Sequence, residues 1–165
     1  MKVARTPAEL GGGPRAVALG TFDGVHLGHR RVIETALSAG PEPTVVTFDP
    51  HPRTALGNRV ELLTSLERRL ELLQELGVEA TLVVEFTLDL ARLEPEEFAE
   101  EVLRPIGAEV VVAGEGFRFG RGRAGDMELL SRLGFETLPV PILDGVSSSR
   151  IRELLAEGDV EGAAG

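Results

Sequence analysis

The chain has 165 residues, 27 acidic against 17 Lys and Arg, a formal net charge of −10, 42% hydrophobic residues and no cysteine. Such a length and composition predict one globular domain over residues 1–165 with a substantial core, and the absence of cysteine excludes disulfides, thiolate metal sites and a cysteine nucleophile. The acidic balance speaks against broad binding to nucleic acid or an anionic membrane, and with no membrane-length apolar run or signal-peptide pattern a cytoplasmic setting is the expectation.

In chain order, "GGGP" at 11–14 reads as a surface turn before the first strand, 15–20 ("RAVALG"). Further strands are predicted at 44–48 ("TVVTF"), 80–84 ("ATLVV"), 109–113 ("EVVVA") and 135–140 ("FETLPV"), short runs of the kind buried on both faces of a sheet. Helices are predicted at 28–39, 64–76, 95 onward ("PEEFAEEVL"), 124–133 and 147–157. The second carries Leu66, Leu70, Leu73 and Leu76 on one face, with Thr64 or Ser65 as N-cap and Gly77 as the stop. Alternating strands and helices predict an α/β fold: a doubly wound, parallel, five-stranded sheet with helices on both faces and right-handed crossovers.

Ligands of such sheets gather beyond the carboxyl ends of the strands. "GTFDGVHLGH" (20–29) follows strand one, "DPHP" strand two, "GEGFRFGRGR" strand four and "PILDGVSSSR" strand five, so the unusual segments share one edge. In "HLGH", His26 and His29 stand three apart at a helix start, where exposed N–H groups and the helix dipole favour an anion, and Gly28 leaves room for it. The imidazoles suit hydrogen bonds to phosphate oxygens that gain charge during group transfer. Helix capping is the plainer alternative, and a zinc site shared with His51 is a third, for which no further ligand spacing is evident.

In "VSSSRIR" (146–152), Arg152 lies four residues after Ser148 and three after Ser149, on one helical face, so hydroxyls and guanidinium can hold one anion. Arg150 is less constrained. In "TFDPHPR", prolines on both sides of His51 stiffen the chain beside Phe48; on these residues alone a rigid turn is the simpler account. Phe117 and Phe119 alternate with Arg118 and Arg121, which fits either loop packing or an aromatic and anionic ligand. "GRGRAG" (120–125) formally matches Gly-x-Gly-x-x-Gly but lies too far past its strand to be a dinucleotide fingerprint, and no P-loop lysine motif exists.

"GTFDGVHLGH" resembles the nucleotide-binding signature of the nucleotidylyltransferase superfamily, and "VSSSRIR" its second signature. With "TFDPHPR", "LTSLERRLELLQELGV" and "FRFGRGRAGD", the chain from about residue 15 to 163 is similar to the FMN adenylyltransferase (FAD synthetase) module of bacterial bifunctional riboflavin kinase/FAD synthetases. The resemblance implies a Rossmann-like fold of the "HIGH"-motif type. It also implies ATP binding by Gly20, Thr21, Phe22, Asp23, Gly24, His26, Gly28, His29, Ser148, Ser149 and Arg152, with His26, His29, Ser149 and Arg152 catalytic. FMN would be bound by Phe48, Pro50, His51, Pro52, Phe117, Arg118 and Asp126.

The implied reaction moves AMP from ATP to FMN, giving FAD and pyrophosphate, with Mg²⁺ accompanying ATP and Asp126 a candidate helper for the metal. The attacking phosphate is ionised at neutral pH, so positioning and charge neutralisation suffice without a general base. Gly116 replaces the Asp or Asn usual in the family, and the β-barrel riboflavin kinase into which relatives continue is not expected in these residues. Two rivals stay open: adenylyl transfer to another phosphorylated acceptor, and a non-catalytic flavin- or nucleotide-binding module.

Overall fold

The computed structural model describes residues 1–22, 27–40, 42–49 and 65–141. Its centre is a sheet of six parallel strands, one more than expected: β1 (Lys2–Ala4), β2 (Arg15–Leu19), β3 (Thr44–Asp49), β4 (Ala80–Glu85), β5 (Ala108–Gly114) and β6 (Glu136–Val140). The spatial order is β1-β4-β3-β2-β5-β6. The five predicted strands are all present, and the added β1 pairs Val3 with Thr81 at the sheet edge. Three residues are too few to show a periodic pattern, which is why "KVA" gave no sequence signal.

Side chains alternate across the sheet, and both faces are apolar. Val17 and Leu19 of β2 and Val111 of β5 join one buried cluster, whereas Ala16, Ala18, Val110 and Val112 join a second on the opposite face. The first face is covered by α5 (Pro95–Phe98), its continuation through a π-helical turn at Ala99–Leu103, and α6 (Met127–Arg132), through Phe98, Leu103, Met127 and Leu130. The second is covered by α2 (Leu27–Ala39) and α3 (Leu66–Glu75), through Val32, Ile33, Ala36 and Leu73. Helices therefore lie on both faces, as doubly wound sheets require. Two single-turn helices, α1 (Pro7–Leu10) and α4 (Leu88–Ala91), were not predicted; each is started by a threonine cap, Thr6 and Thr87. The helix predicted at 147–157 lies outside the described residues.

The amino edge of the sheet is closed by a buried arginine. Arg15 Nε donates to the Ile106 carbonyl (2.9 Å), Nη2 to the Leu10 carbonyl (3.1 Å) and Nη1 to Thr44 Oγ1 (3.1 Å). "GGGP" is more than a surface turn there, because a Cβ at Gly107, whose φ is +75°, would sit 2.0 Å from the Gly13 nitrogen. Only glycine permits that backbone approach.

Candidate active site

Strand order reverses around β2: β3 and β4 lie to one side, β5 and β6 to the other. The crevice at such a reversal, beyond the carboxyl ends, is where open α/β sheets bind ligands. Loops after β2, β3 and β5 emerge there side by side, so the segments singled out at 20–22, 48–49 and 114–126 are neighbours in space.

After β2, the Gly20 N–H still bonds the Val46 carbonyl (3.1 Å), then the chain turns through Thr21 and Phe22. Phe22 adopts φ 54°, a strained conformation for a bulky residue, and folds its ring back over Gly20, where a Cβ would lie 3.2 Å from the ring. The ring is buried with Ile33 and Val32 of α2 and meets His29 edge-on, at 5.3 Å between centroids and 79° between planes. His29, in the first turn of α2, is thereby seated against an aromatic wall at the crevice. The Phe22 ring, expected at the nucleotide, is thus buried and packs against His29.

Phe48, near the end of β3, is the residue expected beside the flavin. Its ring is buried and packs on Phe86 (5.8 Å) and Phe98 (6.2 Å). Phe98 meets Phe119 at 5.4 Å, and Phe119 stacks on Phe117 at 6.2 Å and 17°. A row of aromatic rings therefore runs under the crevice from β3 to the loop after β5, with the partly buried Phe117 at its exposed end.

The loop after β5 is held in a fixed shape. Phe117 N–H bonds the Gly114 carbonyl (3.0 Å), closing a turn around Glu115 and Gly116. Phe119 and Gly125 exchange two backbone bonds (3.1 and 2.8 Å), and the Arg121 N–H reaches the Leu93 carbonyl (2.8 Å). "GRGRAG" thus forms a pinched loop with a 3-10 turn at Arg121–Arg123, and not a strand-to-helix turn. Asp126 caps α6 by accepting from the Leu129 N–H (2.9 Å), and its other oxygen lies 3.5 Å from Arg118 Nη1. Arg118 is half exposed beside that carboxylate, available to an anion. Asp126 therefore serves as the cap of α6 through Oδ1 and faces Arg118 through Oδ2.

Among the described residues no cluster of three or more His, Asp or Glu side chains is placed to hold a metal ion. Asp23, Gly24, His26, Pro50, His51, Pro52, Ser148, Ser149 and Arg152 lie outside the described residues, and Gly28 is described only as part of the α2 backbone. One group went unrecognised in the sequence. Arg69 of α3 is completely buried, and its Nη1 donates to Thr47 Oγ1 (3.1 Å) and to the Phe48 carbonyl (2.9 Å). Its signal was available: Arg69 falls between Leu66 and Leu73 on the leucine stripe of its helix, where a cation needs buried acceptors.

The family model for FAD synthetase matches residues 12–150. The chain belongs to the FAD synthetase family. A bifunctional riboflavin kinase/FMN adenylyltransferase of Listeria monocytogenes is 37% identical over 90% of this chain and 52% of its own length. The chain thus spans about half the length of that relative. Among solved structures, one titled a macrolide-efflux protein from Streptococcus pneumoniae superposes with a TM-score of 0.83 at 26% identity, covering 98% of this chain and 59% of that one. Among the described residues no helix is long and apolar enough to cross a membrane. Pantothenate synthetase from Thermus thermophilus shares the fold, with a TM-score of 0.55 at 21% identity over 98% of this chain and 79% of its own. The α/β Rossmann-like architecture expected from the sequence is the one observed for this FAD synthetase family member, with β1 as the added strand.

Proposed function

We propose that this chain transfers the adenylyl group of ATP to FMN, forming FAD and releasing pyrophosphate, in a cytoplasmic setting. The observation that carries the reading is the convergence, at one strand-order reversal, of the His29 turn after β2 and the Phe117–Arg118 loop after β5 in a chain of the FAD synthetase family.

An FMN phosphate oxygen attacks the α-phosphorus in line, and the bond to the β-phosphate bridging oxygen breaks as pyrophosphate leaves. His29, seated by Phe22 in the first turn of α2, donates to phosphate oxygens as charge builds on them, aided by the turn's exposed N–H groups. His26, Ser149 and Arg152 are assigned by their motifs to the same triphosphate. Phe117 offers an apolar surface to the isoalloxazine, and Arg118 a guanidinium to the FMN phosphate. Pro50, His51 and Pro52 complete the flavin side in this reading. Mg²⁺ would accompany ATP in this reading, supplying charge neutralisation to the triphosphate.

Incubation with MgATP and FMN, followed by separation of the flavins and a pyrophosphate assay, tests the reading. FAD and pyrophosphate in equal amounts are expected. Pyrophosphate formed only with another phosphorylated acceptor points to the related transferase, and binding of both ligands without turnover to a binding module.

A further inference from the structure

The loops that would hold nucleotide and flavin have a common root. Thr47 is fully buried on β3, and its hydroxyl donates to the Thr21 carbonyl (2.8 Å) while accepting from Arg69 Nη1 (3.1 Å). The same Nη1 donates to the Phe48 carbonyl at 2.9 Å. Thr21 and Phe22 are the last described residues before the segment bearing Asp23 and His26; Phe48 and Asp49 are the last before Pro50, His51 and Pro52.

We infer that Arg69 is a positioning residue for both substrates, holding the Phe48 carbonyl directly and the Thr21 carbonyl through the Thr47 hydroxyl, at the described residues that precede the flavin and nucleotide segments. This rests on the adenylyltransferase reading for what the loops hold. A charged donor polarises the Thr47 hydroxyl, so its bond to Thr21 is stronger than that of an isolated threonine. Buried in apolar surroundings, such a chain fixes geometry that solvent-exposed bonds would leave loose. A helix–sheet contact needing only stability would be served by leucine, the residue type that the rest of this α3 stripe uses.

Arg69 touches no substrate in this account, so its test must separate positioning from folding. Three variants serve: Arg69→Met, Arg69→Lys and Thr47→Val. FMN binding is read by flavin fluorescence, with KM for ATP and kcat measured per folded protein, and folding by circular dichroism and melting temperature.

Arg69→Met is expected to weaken FMN binding and raise the ATP KM about tenfold each, since displacements of an ångström cost that much or more. Thr47→Val keeps the bond to Phe48, so it raises the ATP KM while FMN binding stays within about twofold. That split is one that a merely structural role does not produce. Arg69→Lys restores part of the FMN affinity, a single ammonium being able to reach the Phe48 carbonyl. Should Arg69→Met fail to fold, Thr47→Val and Arg69→Lys decide the matter.

Variants that melt earlier yet keep FMN affinity, ATP KM and kcat at wild-type values overturn the inference. FMN binding needs no turnover, so a wild type that binds FMN and MgATP without making FAD would overturn the adenylyltransferase reading while leaving Arg69 testable by affinity.

Discussion

Arg15 and Arg69 are both buried arginines that bond backbone carbonyls and one strand threonine, and they stand at opposite edges of the same sheet. At the amino edge, Arg15 ties β2 to the Ile106 and Leu10 carbonyls and to Thr44 at the start of β3, positions from which no candidate ligand segment departs. At the carboxyl edge, Arg69 holds the residues from which two candidate ligand loops leave the sheet. One chemical device therefore closes the fold at one end and shapes a site at the other. The location of the bonded carbonyls, more than burial or residue type, separates a structural arginine from a positioning one.

Variants at the two edges break this contrast if they behave alike. The largest effect is expected for Arg15→Met, which takes the arginine donor from three buried acceptors, although Lys2 still reaches the Leu10 carbonyl and Thr44 still bonds the Glu42 carbonyl. It should lower unfolding free energy by about 3 kcal/mol in a urea titration, with kcat and KM of the folded fraction unchanged. The ion pair with half-exposed Glu42 (3.2 Å) adds little to that loss.

Next comes His29→Ala at the carboxyl edge. It should lower kcat about a hundredfold, the usual cost of removing one donor to transition-state charge, with little change in FMN affinity or urea midpoint. Equal losses in kcat and FMN binding would contradict a role in the transition state.

Phe117→Leu removes the exposed end of the aromatic row and a ring–ring contact of about 0.5–1.5 kcal/mol. Equilibrium titration should show FMN affinity falling severalfold. The smallest effect is expected for Asp126→Asn, because asparagine caps α6 as well as aspartate and the pair with Arg118 is exposed; the stability change should stay within about 1 kcal/mol. FMN affinity should hold or rise as Arg118 is released, whereas a fall would make the Asp126 carboxylate itself a ligand group.

The parallel sheet was readable because most of its strands are runs rich in Val, Leu and Ala, and the shared edge of the segments after β2, β3 and β5 because each follows such a run. The three-residue β1 and the one-turn helices α1 and α4 were not, since elements so short complete no period. Within the candidate site, side-chain directions were not legible. Phe22 and Phe48 suggested ligand surfaces, yet the positive φ of one and the strand alternation of the other turn both rings into the core. The leucine stripe marks Arg69 as buried, but its partners Thr47 and Phe48 were not legible, because they come into reach only when helix and sheet pack.

Backbone hydrogen exchange, compared with and without FMN plus a non-hydrolysable ATP analogue, tests most directly which edge takes the ligands. Slowed exchange at residues 20–22, 29–30 and 115–126, with residues 11–15 and 105–108 unchanged, is the predicted result. Protection confined to the amino edge, around Arg15 and Gly107, would contradict it.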